Sequence, residues 1–299
     1  MENIWYNYTN KQKKLTIIEY IGYLLHYVKK RSQVYIFALT SLLSLAIASN
    51  GNIEPSIALR LLFGTYAISL ATYIYNDLYD VRADRLNKVN RLVVNGYADV
   101  TKLIRLIASL FIVGLLLLVS INIYTVAISC ICSFLAIAYS HRRFNLKDKF
   151  PHKTIINALG ASLAALIGGF AVENVSVGVL ILSVVSFLFL FILAPLGDLQ
   201  DYKGDMLAGK RTMPIVLGIN NTLNVMMLLS VGIICIFIFS KSINMLGIVI
   251  ALSTNLFVLS LLYYIKRNYS IDIIKKSRHV LRLTYIANQI SVLLGINTN

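Results

Sequence analysis

Acidic side chains are scarce in this chain: 13 Asp and Glu stand among 299 residues, and charged residues of either sign make up only 14%. A soluble globule needs a charged, solvated surface, so the shortage excludes one. Cysteine is scarce as well. Three residues, Cys130, Cys132 and Cys235, make no disulfide framework. Cys130 and Cys132 would point about 200° apart on a helix, so they cannot easily share a metal. All three are expected as buried, small hydrophobes. No short cleavable signal is expected ahead of the first apolar run, because residues 1–33 mix charges and aromatics throughout.

Apolar residues are what the chain has in excess, at 58%. A hydrocarbon layer of about 30 Å needs roughly 20 apolar residues per helix. Nine runs near that length are expected as spans, at 34–50, 56–75, 104–121, 123–140, 154–172, 175–196, 222–240, 244–265 and 281–296. Basic residues stay on the cytoplasmic side of a membrane, and with an inside N-terminus 26 of the 28 Lys and Arg fall in five cytoplasmic segments. Only Arg60 and Lys241 are left over. The opposite loops, at 51–55, 122–125 and 173–176, nearly lack Lys and Arg.

The expectation is an all-α polytopic protein of the cell (inner) membrane, with the N-terminus in the cytoplasm. Residues 1–33 form a cytoplasmic or interfacial segment, in which Leu15 to Val28 reads as an amphipathic helix. Residues 34–299 form one transmembrane domain. The net charge of +15 is spread over loops on one membrane face, which points to anionic lipid headgroups and phosphorylated substrates rather than to nucleic acid.

Six of the acids fall in two short clusters, Asn76-Asp77-Leu78-Tyr79-Asp80-Val81-Arg82-Ala83-Asp84 and Asp198-Leu199-Gln200-Asp201-Tyr202-Lys203-Gly204-Asp205. Both lie at cytoplasmic ends of expected spans, the second and the sixth. If the helices continue through them, Asn76, Asp80 and Asp84 share one face, as do Asp198, Asp201 and Asp205, and Asp77 stands three residues before Asp80. Like charges at such spacing repel, and a carboxylate near membrane depth costs about 2.5 to 3.5 kcal/mol on insertion scales, so the clusters call for a divalent cation. Mg2+ suits hard oxygen ligands and bridges carboxylates to substrate phosphates, which makes a diphosphate the implied ligand. Arg85, Arg91, Arg142, Arg143, Lys147, Lys203, Lys210 and Arg211 are candidates for the remaining phosphate charge. For any one Asp, a solvated loop charge is an equally good reading. The pairs Asp80/Asp84 and Asp201/Asp205 repeat at an offset of 121, which suggests two duplicated four-helix halves plus a ninth helix, with one acid site per half facing a shared cavity.

These residues resemble the signatures of the UbiA-type intramembrane prenyltransferases, an N-D-x-x-D-x-x-x-D run and a second D-x-x-D-x-x-x-D run. The likeness extends to Thr212-Met213-Pro214-Ile215-Val216-Leu217-Gly218. The resemblance implies a helical bundle around a central cavity, closed on the cytoplasmic side by acid-bearing loops and open laterally to lipid. It implies transfer of a prenyl group from a prenyl diphosphate to a membrane-accessible acceptor. In that reading Asn76, Asp77, Asp80, Asp84, Asp198, Asp201 and Asp205 hold Mg2+, and Asn76, Arg85, Arg91, Arg143, Lys147, Lys203 and Lys210 hold diphosphate. The family's Tyr-x-x-x-Lys feature reads Tyr139-Ser140-His141-Arg142-Arg143 here, with Arg in the Lys position, and the proline that often follows Asn90-Arg91 is replaced by Leu92. The stretch from Gly204 to Pro214 looks closest to the branch that makes archaeal-type ether lipids and its chlorophyll and tocopherol relatives.

Chemistry follows from charge: a neutralised diphosphate leaves, and the allylic carbon gains cationic character. Tyr73, Tyr75, Tyr139 and Phe191 are candidates to stabilise that cation if they face the cavity, and His141 is the candidate acceptor-side base. Ordinary interfacial packing is the competing reading for each aromatic, because Tyr occurs 18 times. Other functions to be excluded are a terpene cyclase on the same scaffold and a cation-coupled transporter, although transporter acids lie nearer the bilayer midplane.

Overall fold

A computed structural model describes residues 17–31 and 34–296. Lys11, Lys13 and Lys14, and Leu15 and Thr16 of the expected interfacial helix, lie outside the described residues. The rest of that segment is helix α1 (Ile17–Lys30), which packs on α3 (Pro55–Tyr79) and α5 (Val100–Val119). Its outward face exposes Ile21 and Leu25, while Tyr27 is buried beneath it. Among the described residues no strand forms; only isolated bridges do.

The remaining long helices are α2 (Tyr35–Ala48), α6 (Ile123–Ser140), α7 (His152–Phe170), α8 (Val177–Gln200), α11 (Ile219–Phe239), α12 (Met245–Arg267) and α13 (Ile271–Gly295). Short helices α4 (Val81–Leu86), α9 (Tyr202–Leu207) and α10 (Met213–Leu217) lie in the loops. The chain is an integral membrane protein, and helix length and apolarity alone do not confirm the expected count of nine spans. Among the described residues seven helices are long and apolar enough to cross a membrane, or up to eight if α1 and α2, bent by 73° at their junction, count as one. The two shortfalls have physical causes. Helix α2 has only 14 residues, and α13 carries Lys275, Lys276, Arg278 and Arg282 in its first half.

Helix α13 is held in place by polar groups instead. Tyr285 Oη lies 3.0 Å from Thr40 Oγ1 of α2, and Gln289 donates to that same oxygen at 2.6 Å and to Ser186 of α8 at 3.3 Å. Asn255 of α12 donates to Asn288 at 2.7 Å. Without a hydrophobic driving force between helices in lipid, such bonds and close backbone contact supply the cohesion. Helices α2 and α7 show the second device: a Cβ on Gly168 would fall 2.0 Å from the Ser41 carbonyl oxygen. Gly168→Ala is therefore expected to lower stability by about 1 to 3 kcal/mol, read as thermal unfolding in detergent. An unchanged unfolding temperature would refute this packing.

The cysteine expectation needs correction. Cys130 and Cys235 are exposed on the outer faces of α6 and α11, and only Cys132 is partly buried, on the cavity wall. Lipid tails solvate a thiol as readily as a packed core does, so an apolar span has no need to turn it inward.

Candidate active site

The acid motifs do not lie on continuous helices. Helix α3 ends at Asp80 (φ −91°, ψ 2°) before α4, and α8 ends at Asp201 (φ −96°, ψ 10°) before α9. The two breaks match bond for bond at the offset of 121. Asp80 N–H donates to Asn76 O at 3.0 Å, as Asp201 N–H does to Gly197 O. Asp84 N–H donates to Asp80 O at 2.8 Å, and Asp205 N–H to Asp201 O at 2.9 Å. The chain then leaves each short helix through a positive φ, at Lys88 (53°) and Gly209 (77°). Glycine suits that left-handed turn; lysine adopts it less readily.

The bends separate the acids. Asp77 turns away from its neighbours, buried at 1% exposure and ion-paired to Arg31 and Arg91, beside a small polar pocket under α1. Asp80 accepts from Asn76 Nδ2 at 2.6 Å and faces Lys147 Nζ at 2.8 Å and Lys210 Nζ at 3.4 Å. Lys210 also stands 3.5 Å from Asp205, so one ammonium joins the first motif to the second. Asp205 further accepts from Asn87 at 3.2 Å, across the contact between α4 and α9. Asp198 pairs with Lys153 Nζ at 2.5 Å. Lys147 and Lys210 reach the site because two loops are tied together: Arg211 N–H donates to Asp148 O at 2.8 Å, and Phe150 N–H to Arg211 O at 2.7 Å.

Burial pushes the Asp80 carboxyl up, but the ammonium groups of Lys147 and Lys210 outweigh it and hold the group down to about 2. Asp84 goes the other way. Burial and the Asp80 charge push it up to about 7, against the opposing pull of Arg31, Lys210 and Lys147. Arg91 Nε stands 3.0 Å from Asp84 Oδ2, yet that buried oxygen accepts no hydrogen bond. Asp201 is likewise raised, by burial first and by Asp205 second.

Below this cluster lies a cavity of about 320 Å³ between α2, α3, α6, α7, α8 and α13. Its polar end presents Asn76, Asp198, Lys153, Arg31, Arg278 and Arg282, and its walls are apolar, among them Phe37, Ile68, Leu135, Leu163 and Leu190. Along α7 the lining runs from Lys153 to Ile167, a depth of about 21 Å at 1.5 Å per residue. That shape suits a ligand with an anionic head and a long hydrocarbon tail.

Of the candidate aromatics, Tyr73 and Tyr139 line this cavity, and Asn157 donates to the Tyr139 hydroxyl at 3.4 Å. Tyr75 stacks on Tyr79, Phe191 on Phe187, and His141 on Tyr79 and Phe144, all outside the lining. Arg85, Arg143 and Lys203 are exposed. The buried cation after α6 is Lys147, four residues beyond Arg143, at 3.4 Å from Asn76 Oδ1. Sequence reasoning missed Lys153, Arg31, Arg278 and Arg282, which read there as ordinary cytoplasmic loop charges.

Among the described residues no three acids, His or Cys stand close enough to form a ready-made metal cluster. The donor set nevertheless fits Mg2+. Its members are hard carboxylate oxygens, one of them without a hydrogen bond, and lysine ammoniums lie against Asp80, Asp198 and Asp205. Mg2+ is usually held by one or two carboxylates plus substrate phosphates, which requires no preformed protein cage.

Known proteins share the sequence and the fold. The chain is 28% identical over 230 residues to a digeranylgeranylglyceryl phosphate synthase of Saccharolobus solfataricus, covering 76% of this chain and 80% of that one. A solved structure described as digeranylgeranylglyceryl phosphate synthase in membranes superposes with a TM-score of 0.71 at 21% identity, over 91% of this chain and 98% of that one. A UbiA homolog from Archaeoglobus fulgidus bound to DMAPP and Mg2+ superposes with a TM-score of 0.69 at 18% identity, over 89% and 97% of the two chains. The UbiA prenyltransferase family model matches residues 36–285, from the start of α2 past the middle of α13, and the chain belongs to that family.

Proposed function

We propose that this prenyltransferase moves a prenyl group from a prenyl diphosphate to the free hydroxyl of a prenylated glyceryl phosphate. The observation that carries the reading is Lys210, which faces Asp80 of the first motif and Asp205 of the second above an apolar cavity. The relative from Saccharolobus solfataricus supports the acceptor class. Mg2+, as in the DMAPP-bound homolog, would be held by Asp80, Asp84, Asp201 and Asp205, with Asn76 and Asp198 beside them, and would neutralise the departing diphosphate.

The chain's own residues do the rest. Lys147 and Lys210 hold leaving-group charge, and Asn76 orients Asp80. The apolar walls exclude water and so strengthen each of these interactions. Tyr73 and Tyr139 offer ring faces to the allylic carbon as it becomes cationic. The acceptor oxygen bonds to that carbon while its bond to the diphosphate oxygen breaks; the diphosphate departs with the electron pair, and the hydroxyl proton passes to it. Asp77 serves the fold in this reading, as the anchor of Arg31 and Arg91.

The distribution of Lys and Arg supports a cell (inner) membrane protein with its acid end in the cytoplasm. Residues 17–31 then belong to a cytoplasmic or interfacial segment, and 34–296 to a single domain of two related halves plus α13. Purified protein given geranylgeranyl diphosphate is expected to release diphosphate only with Mg2+ or Mn2+ and geranylgeranylglyceryl phosphate present, and mass spectrometry should find the doubly prenylated product. Diphosphate release with a hydrocarbon product and no acceptor would identify a cyclase instead.

A further inference from the structure

The offset of 121 that aligns the two breaks also pairs Asp198 with Asp77, each three residues before the acid at which its long helix ends. Asp77 is answered by cations of the protein itself, Arg31 and Arg91. Asp198 follows the same pattern. It is buried at 4% exposure, and Lys153 Nζ stands 2.5 Å from its Oδ1. In each half the first acid of the motif thus holds a cation that lines the cavity, Arg31 in one and Lys153 in the other. Asp77 itself lies outside that lining, whereas Asp198 shares the polar end of the cavity with its lysine.

Lys153 is held at Asp198 by the packing of two long helices. It is the second residue of α7, its N–H donating to Lys149 O at 3.1 Å, and Asp198 stands near the end of α8. The two helices are locked together further down: Ser162 Oγ lies 2.7 Å from Ser183 Oγ, and a Cβ on Gly169 would fall 2.6 Å from Val179 Cγ1. Asp205, at 3.9 Å, and Tyr139 are further neighbours of Lys153; Lys210 and Arg278 are charged neighbours of Asp198 at longer range. Lys147 and Lys210, by contrast, come from the turn at 146–148 and the loop after α9. Lys210 is shared among Asp80, Asp205 and Asp148 at 3.4, 3.5 and 4.0 Å. A cation shared that loosely can yield its place to a metal ion. One fixed on a helix cannot, because displacing it leaves a buried ammonium without its counterion.

We propose that Asp198 is the positioning residue of Lys153 rather than a ligand of the metal, and that the Lys153 ammonium is a fixed cation contacting the donor diphosphate. The proposal rests on the reading that the acids bind Mg2+ together with a prenyl diphosphate. Lysine binds phosphate as a compact point charge, and this one is already in place at the polar end of the cavity before any ligand arrives. The second motif then offers the metal Asp201 and Asp205, as the first offers Asp80 and Asp84.

Mn2+ binding, read by electron paramagnetic resonance with the unreactive donor geranylgeranyl thiolodiphosphate at saturation, tests the first part. Asp198→Asn is expected to change the Mn2+ Kd by less than about threefold, whereas Asp201→Asn weakens it by about tenfold or more, equivalent to ~1.4 kcal/mol. Equal weakening in the two variants would make Asp198 a metal ligand and overturn the proposal. Titration of the same analogue at saturating Mn2+ tests the second part. Lys153→Met is expected to weaken the analogue by about tenfold or more, and Lys153→Arg by less. Lys153→Met combined with Asp198→Asn should bind the analogue as Lys153→Met does, because Asp198 acts through the lysine. The double variant leaves no orphaned carboxylate, so it carries the test if Lys153→Met alone does not fold. An analogue Kd in the double variant equal to that of wild type would overturn the contact. If wild type binds Mn2+ and the analogue but the variants depart from these outcomes, the inference alone fails. If wild type binds no Mn2+ with the analogue present, the functional reading falls first and takes the inference with it.

Discussion

Asp80→Ala and Asp201→Ala are each expected to reduce prenyl transfer by on the order of 10³-fold, the scale for losing a preorganised electrostatic group at the reacting centre. The two residues occupy the same structural position in the two halves, each at the break where a long helix ends and a six-residue helix begins. A carboxylate at such a break stands at the end of a long apolar helix while its backbone remains hydrogen-bonded on both sides. Alanine keeps those backbone bonds, so the variants should fold. Activity is read as Mg2+-dependent diphosphate release together with the prenylated product, and folding as thermal unfolding in detergent. Full turnover in both variants would remove the proposed metal role; loss of folding in both would assign the acids to structure instead.

Lys210→Met should have its largest effect on the protein without ligands. Lys210 is partly buried and lies within 4.0 Å of Asp80, Asp205 and Asp148. Removing one partner of a fully buried pair destabilises by about 3 to 5 kcal/mol. Here the expected loss is nearer 2 kcal/mol, because Lys147 still faces Asp80 and Lys153 still stands 3.9 Å from Asp205. A divalent cation between those carboxylates restores the missing positive charge. The unfolding temperature of Lys210→Met is therefore expected to rise more on adding Mg2+ than that of wild type. An equal rise in both proteins would show that Lys210 does not stand where the metal's charge is needed.

Much of the candidate site is legible in the amino-acid sequence, and the reason is periodicity. Asp80, Asp84, Asp201 and Asp205 repeat at helical spacing in a chain otherwise poor in acids, so their grouping carries information that no single Asp does. Lys147 and Lys210 are also legible, as basic residues in loops expected on the same membrane face as the acids. Asp77 is not. Its spacing places it with Asp80 on an unbroken helix, whereas in the structure it is buried against Arg31 and Arg91. Arg143 illustrates the opposite error: it occupies the expected motif position, yet it points to solvent and the buried cation is Lys147.

The number of membrane crossings divides in the same way. Run length finds α3, α5, α6, α7, α8, α11 and α12, because each carries enough apolar residues by itself. Length and apolarity alone do not settle α2 and α13, whose places in the bundle depend on partners. Thr40, Tyr285 and Gln289 bond across the helices, and no hydropathy window registers that exchange.

By itself the sequence determined the solvent this protein lives in and the two acid motifs, since those properties belong to short stretches and survive being read one segment at a time. Only the tertiary structure decided which cations meet which acids. Lys153, Arg278 and Arg31 come from three different elements, and in the chain they look like any residue that keeps a loop in the cytoplasm. Charge is felt through space over a few ångströms, so a guanidinium many residues away along the chain joins the cavity wall once folding sets it beside Gly197.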